Sequence, residues 1–199
     1  MVARQLSVAV FQEFQSLLSE RLLKRVRTTE DSIRYTFFAS MMKSGIRPHE
    51  VVLEYEHPAI RGAEIDMVLM DAKGLTCAIE FKYDRRKKST SPKPQKAGKL
   101  FHDLSRLLQV QRSISRYFVY VTDKEMADYL AKPSHGVRDF FEIETGGALQ
   151  LGESYFAGLC KTFHEEMGIW PGIATVRAVH VTHLPHDHHL RIYGLARPE

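Results

Sequence analysis

The chain has 199 residues, of which 44% are hydrophobic and 26% charged, and 28 Lys+Arg against 24 Asp+Glu give a formal charge of +4. Those proportions fit a globular protein that can bury a sizeable core, and they exclude disordered and fibrous classes. No run approaches the roughly 18 consecutive apolar residues of a membrane span, so no membrane partner is expected.

In chain order, Ser7 to Arg27 reads as an amphipathic helix, with Val10, Phe14, Leu17, Leu18, Leu22 and Val26 at three- and four-residue spacing. A second helix starts at Thr28-Thr29-Glu30-Asp31, where threonine can cap and two acids favour the positive helix end. Its stripe is Ile33, Phe37 and Met41, and Gly45 and Pro48 stop it. Three strands follow, Val51 to His57, Ala63 to Met70 and Leu75 to Lys82, the last two joined by an Asp71–Gly74 hairpin turn. Ile65, Met67 and Leu69 should share one face of the second strand, while Leu75, Cys77, Ile79 and Phe81 alternate with Thr76, Ala78, Glu80 and Lys82 in the third.

The stretch after the third strand carries Pro92 and Pro94 and is predicted as a loop. Ala97 to Gln111 is a helix with Leu100, Leu104, Leu107 and Leu108 inward, and Ser115 to Thr122 a buried strand. Thr122 or Asp123 caps a short helix to Leu130, making the order α-β-β-β-α-β-α. Beyond Pro133 the pattern predicts a strand near Phe140 to Glu144, a turn at Gly146-Gly147 and a helix from Ser154 to Met167. Strands Ala174 to Leu184 and Leu190 to Leu195 complete it. We divide the chain into an N-terminal helix (1–27), a core (28–131) and a C-terminal α+β appendage (132–199) packed on that core as one unit. The opening residues lack a secretory pattern, and two cysteines, Cys77 and Cys160, cannot form a disulfide framework. A reducing cytoplasm is the expected setting.

The positive charge is local. From Asp84 to Lys99 there are seven basic residues (Arg85, Arg86, Lys87, Lys88, Lys93, Lys96, Lys99) against one acid, which leaves the rest of the chain slightly acidic. Such a segment is a place for a polyanion to dock, and phosphate contacts of this kind position a nucleic acid without reading it. A solvated run of charge is the plainer alternative.

Directly before that segment, Glu80 and Lys82 are two residues apart on a strand and share a face. Pairing outward from the hairpin turn sets residues summing to about 145 opposite each other, which places Asp66 across from residue 79. A one-residue change of register would bring the Asp66 and Glu80 carboxylates together. Two acids flanked by apolar residues are costly unless a cation neutralises them, and Mg²⁺ takes one or two carboxylates plus water and phosphate oxygens. A neighbouring lysine can orient water and offset charge on a phosphate. The alternative is an ordinary solvated strand face. The helix behind carries Lys99, His102, Asp103 and Arg106 on its polar side.

With Ile65-Asp66 in the place of "PD" and Glu80-Phe81-Lys82 as "(D/E)XK", the sequence resembles the PD-(D/E)XK nuclease superfamily, the restriction-endonuclease-like fold. The α-β-β-β-α-β order between about Thr28 and Thr122 matches, as does Glu30 at the start of the first core helix; Ile65 departs from the proline of many members. The resemblance implies an α/β (α+β) protein with a central mixed sheet flanked by helices. It further implies that Asp66, Glu80 and the Phe81 carbonyl hold Mg²⁺ (or Mn²⁺), that Lys82 positions the attacking water, and that Glu30 completes or supports the metal site. Lys99 and Asp103 are candidates near the phosphate. The implied activity is metal-dependent phosphodiester hydrolysis in nucleic acid, DNA before RNA. A non-catalytic nucleic-acid-binding or assembly module is the competing reading, and oligomeric state, a homodimer included, is left open. Glu30 could equally serve the helix dipole, with Arg34 four residues on as an ion-pair partner. Glu54, Glu56 and Glu64 read as surface residues.

Five histidines, His180, His183, His186, His188 and His189, fall within ten residues. No cysteine accompanies them and the spacing matches no zinc pattern, so core or surface placement is expected and zinc is the alternative. Cys77, Tyr117, Phe118 and Tyr120 read as packing residues.

Overall fold

Alternating and helical periodicities sort the chain into a seven-stranded mixed sheet with helices on both faces; the computed structural model describes residues 4–85 and 91–198. Helices α1 (Val8–Leu23) and α2 (Glu30–Lys43) lead into β1 (Val51–Glu56), β2 (Glu64–Asp71) and β3 (Gly74–Asp84). Next come α3 (Lys93–Leu108), β4 (Ser115–Thr122), α4 (Lys124–Leu130), α5 (Arg138–Phe141) and β5 (Ala148–Leu151). The chain continues through α6 (Glu153–Phe156), α7 (Lys161–Met167), β6 (Ala174–Leu184) and β7 (His188–Ala196). Across the sheet the order is β1-β2-β3-β4-β7-β6-β5. Only β3 and β4 run parallel, and α3 supplies the crossover that a parallel pair requires. β7 pairs directly with β4, so β5–β7 continue the same sheet.

The two faces have separate cores. Phe14, Leu18, Ile33, Phe37 and Met41 of α1 and α2 cover Met67, Ile79, Phe81, Val119 and Ile192. On the other side Leu100, Phe101, Leu104 and Leu108 of α3 pack with Ala78, Phe118, Tyr120 and Tyr193. Thr29 caps α2 reciprocally: Ser32 N–H donates to Thr29 Oγ1 at 3.2 Å, and Thr29 N–H to Ser32 Oγ at 2.7 Å. At Gly98 an added Cβ would sit 2.5 Å from the Phe163 carbonyl oxygen and 2.7 Å from Glu166 Cβ, so α7 reaches α3 because this residue has no side chain.

Several expectations need correction. α1 stops at Leu23 rather than Arg27, and Arg25 takes a left-handed φ of 52° that a helix cannot continue through. The supposed loop becomes α3 from Lys93, because Pro94 falls in the first turn where its missing N–H costs no helical bond. Lys93 and Lys96 are therefore helical, as Lys99 is already expected to be. Phe140 to Glu144 holds a helical turn instead of a strand; adjacent Phe140 and Phe141 are both buried, which a strand facing a single core would not allow. The single helix from Ser154 to Met167 is two, α6 and α7, and the break lets Phe156, Phe163 and Trp170 converge on Phe101. Ile65 packs with the α3 layer, away from Met67 and Leu69, because regular β2–β3 pairing begins only at Met67. Strand β5 was not anticipated from sequence.

Candidate active site

Close to the hairpin turn the register is the expected one, Asp71 opposite Gly74 and Met70 opposite Leu75. Between Leu69 and Met70 it shifts by one residue, so Leu69 faces Cys77, Val68 faces Ala78 and Met67 faces Ile79. One further step sets Asp66 across from Glu80. There β2 leaves β3. The Phe81 N–H donates to Asp66 Oδ2 at 2.8 Å, and the Tyr83 N–H to Glu30 Oε2 at 2.7 Å. Two carboxylates thus take over donors that a continuing strand would have used. A strand residue turns its N–H and C=O to the same side, so the Phe81 carbonyl also faces this opened edge.

The other face of β3 carries Glu80, Lys82 and Asp84 beneath α3. Glu80 is only 4% exposed. Burial, reinforced by the adjoining Asp66, pushes its carboxyl well above the usual range, and the two acids are close enough to hydrogen-bond when one is protonated. Arg106 Nη2 lies 3.4 Å from Glu80 Oε1 and also donates to the Glu64 carbonyl. Lys82 Nζ donates to Asp103 Oδ2 at 2.8 Å. Burial opposes the Lys82 charge, but Asp103, Glu30 and Asp84 outweigh it and hold the ammonium above the usual lysine range. These acidic neighbours favour the charged form of Lys82. Asp84 is buried with its carboxyl pushed up by burial, and Tyr120 Oη donates to it at 3.2 Å. Burial likewise raises the Glu30 carboxyl.

Arg34 departs from its expected role. Instead of pairing with Glu30 it meets Asp66 Oδ1 at 2.9 Å, Glu54 at 3.3 Å and Asp31 at 3.6 Å. Glu54 holds a left-handed φ of 53° within β1, between residues paired to Met67 and Ile65, a conformation that costs about 1 kcal/mol or more in a non-glycine residue. Arg34 and Arg106 are the ion-pair partners of Asp66 and Glu80 that the sequence pattern missed. Asp84 was missed too, although it continues the alternation of residues 78, 80 and 82.

Asp66 and Glu80 are among the residues lining an open cleft of about 870 Å³ between α3, the turn before β2 and the segment after α7. Lys82 and Glu30 are not among its lining residues. Of the basic segment, Arg86, Lys87 and Lys88 lie outside the described residues. Arg85 stands over the Tyr83 ring at 5.8 Å, and Lys96 donates to the Arg85 carbonyl at 3.0 Å. Lys93 meets Glu125 at 3.1 Å and Lys99 meets Glu166 at 3.9 Å. Of the histidines, His180 bonds Gln15 at 2.9 Å, His188 bonds Tyr83 Oη at 3.1 Å, and the cross-strand His183 and His189 rings meet at 4.6 Å.

No protein-family model, curated protein or solved structure matches the chain. Its chemistry must be read from the site. Among the described residues no group of three or more His, Cys, Asp or Glu side chains is arranged for a metal ion. The available oxygen donors are the Asp66–Glu80 pair and the edge-facing Phe81 carbonyl. Two carboxylates with room for water and phosphate oxygens suit the hard, partly hydrated Mg²⁺ ion. A buried carboxyl raised by its neighbour is also a group that a divalent cation would stabilise in its charged form. No described helix is long and apolar enough to cross a membrane.

Proposed function

We propose that the protein is a Mg²⁺-dependent nuclease that hydrolyses phosphodiester bonds of nucleic acid, with DNA the favoured substrate, and that Mn²⁺ can replace Mg²⁺. The observation carrying this reading is the meeting of Asp66 with buried Glu80 where β2 parts from β3, with Lys82 two residues along the same face of β3 and paired to Asp103. The α-β-β-β-α-β order, with a parallel β3–β4 pair across α3, supports a restriction-endonuclease-like core.

Asp66, Glu80 and the Phe81 carbonyl would hold the ion, which supplies positive charge against the scissile phosphate and eases loss of a proton from the attacking water. Asp66 is pre-positioned by the Phe81 amide and Arg34. Lys82, held by Asp103, would orient the nucleophile and offset charge growing on the phosphorus oxygens. Glu30 secures the β3 edge through the Tyr83 amide and acts as a supporting residue. Arg85, Lys96 and the neighbouring basic residues would meet the flanking backbone.

The test is incubation with plasmid, linear and single-stranded DNA and with RNA, in Mg²⁺ or Mn²⁺, beside an Asp66→Ala variant. Cleavage that needs both the metal and Asp66 is the expected result. A second reading, a non-catalytic nucleic-acid-binding module, draws on one observation: Asp66 and Glu80 already have arginine partners. Binding without cleavage on every substrate would favour it.

A further inference from the structure

The segment after α7 is held firmly and yet presents an apolar side chain to water. Gly168 (φ 69°) and Gly172 (φ 94°) permit a tight excursion between α7 and β6. Trp170 is buried against Phe101 and Phe156. Ser105 Oγ donates to the Ile169 carbonyl at 3.0 Å, and a His102 ring nitrogen lies 3.2 Å from the Met167 carbonyl oxygen. Both contacts come from α3, the helix that also places Arg106 beside Glu80. On this anchored turn Ile169 is 89% exposed, and it lines the same cleft as Asp66 and Glu80. Ile173, also exposed at 57%, does not line the cleft. An isoleucine held in water on a tied backbone forgoes the gain of burying its apolar surface, which a ligand entering the cleft could recover.

We propose that the cleft receives one unstacked nucleobase of the nucleic acid being cut, with Ile169 as the apolar wedge that parts it from its neighbour. This rests on the nuclease reading and narrows its substrate class to nucleic acid carrying an unpaired or extruded nucleotide beside the scissile phosphate. The volume of about 870 Å³ is ample for a nucleotide. Ile60, Ile169 and Pro171 offer apolar contact to base faces, while Gln109 and His102 offer polar groups to a base edge. That Asp66 and Glu80 line the same cleft favours this occupant over a protein partner, since a base seated there keeps its own phosphate beside the two acids.

The test uses duplexes with one 2-aminopurine, fully paired or in a single-nucleotide bulge, bound by the full chain carrying Asp66→Ala so that no cleavage intervenes. Fluorescence should rise on binding, and adding Ile169→Ser should remove most of that rise, whereas Ile173→Ser should keep it. With intact Asp66 and Mg²⁺, the bulged duplex should be cut on the order of tenfold faster than the paired one, an advantage reflecting the saved unstacking energy. Because residue 169 is exposed, an unchanged melting temperature will show that Ile169→Ser folds. Equal fluorescence with isoleucine and serine, or equal cutting of paired and bulged duplexes, would overturn the wedge while leaving the nuclease reading intact. An Ile169-dependent fluorescence rise with no cleavage of any substrate would sink the nuclease and keep the base-binding cleft.

Discussion

On one face of β3, Cys77, Ile79 and Phe81 disappear beneath α1 and α2; on the other, Glu80 and Asp84 are buried nearly as deeply beneath α3, with Lys82 between them. Alternation from Cys77 to Asp84 thus supplies an apolar face that stabilises the fold and a charged face that opposes it. Burying Phe81 removes apolar area from water, whereas burying Glu80 removes hydration that Arg106 at 3.4 Å replaces only in part. A face that costs stability persists where its groups have other work. The contrast separates the residues that hold the sheet from those available for chemistry.

The largest expected effect breaks the charged face. Asp66→Ala or Glu80→Gln should lower metal-dependent cleavage by on the order of 10³-fold, measured on a labelled duplex at saturating Mg²⁺. Activity surviving either change would show that the acids are structural. On the apolar face, Phe81→Ala should cost about 3–5 kcal/mol by urea unfolding, because its ring fills the space against Phe37 at 5.3 Å.

The same Glu80→Gln change should raise stability at neutral pH, opposite in sign to its effect on activity, because it removes a carboxylate whose charged form burial disfavours. Glu80 has a raised folded-state pKa, so the stability tied to its proton is present below the ordinary value of 4.5 and lost as pH rises through the folded value. The variant's advantage should therefore grow with pH. Added Mg²⁺ should raise the melting temperature of the unmodified protein and not of this variant. A pH-independent difference would mean that burial does not disfavour the Glu80 charge, and equal metal shifts would mean that Glu80 is not a ligand.

The smallest effect concerns the β6–β7 hairpin, where ionisable groups are half-exposed. Burial, then His183 and Arg191, pushes His189 down from 6.5 to about 4. Its contribution is present above the unfolded value and is lost as pH falls from 6.5 toward 4. His189→Gln should flatten that part of a melting-temperature profile by a few degrees at most, since solvent weakens the shift. A profile unchanged by the substitution would place the titration elsewhere.

Much of the fold was legible wherever a period ran long enough. Ser115 to Thr122 and Ala174 to Leu184 have the expected bounds, and Thr29 caps α2 as its position suggested. Legibility failed where neighbours outweigh local preference. Pro94 suggests a break to a reader of the chain alone, but in the first turn of α3 it is harmless. Phe140 and Phe141 read as strand until Tyr193 and Arg191 become the surfaces they cover.

The site divides in the same way. Alternation within β3 is a local property, and it alone put Glu80 and Lys82 on one face and Cys77 on the other. The sequence also marked Asp66 as the acid on the partner strand. Whether the two carboxylates meet depended on a one-residue shift between Leu69 and Met70, which no local preference specifies because it is settled by the packing of both faces at once. Tertiary structure likewise chose Arg34 for Asp66, Asp103 for Lys82 and Arg106 for Glu80, pairs separated by 32, 21 and 26 positions. Charge pairing at such range depends on which helices cover the strand. The sequence by itself determined which residues could do the chemistry; the fold decided which of them stand together.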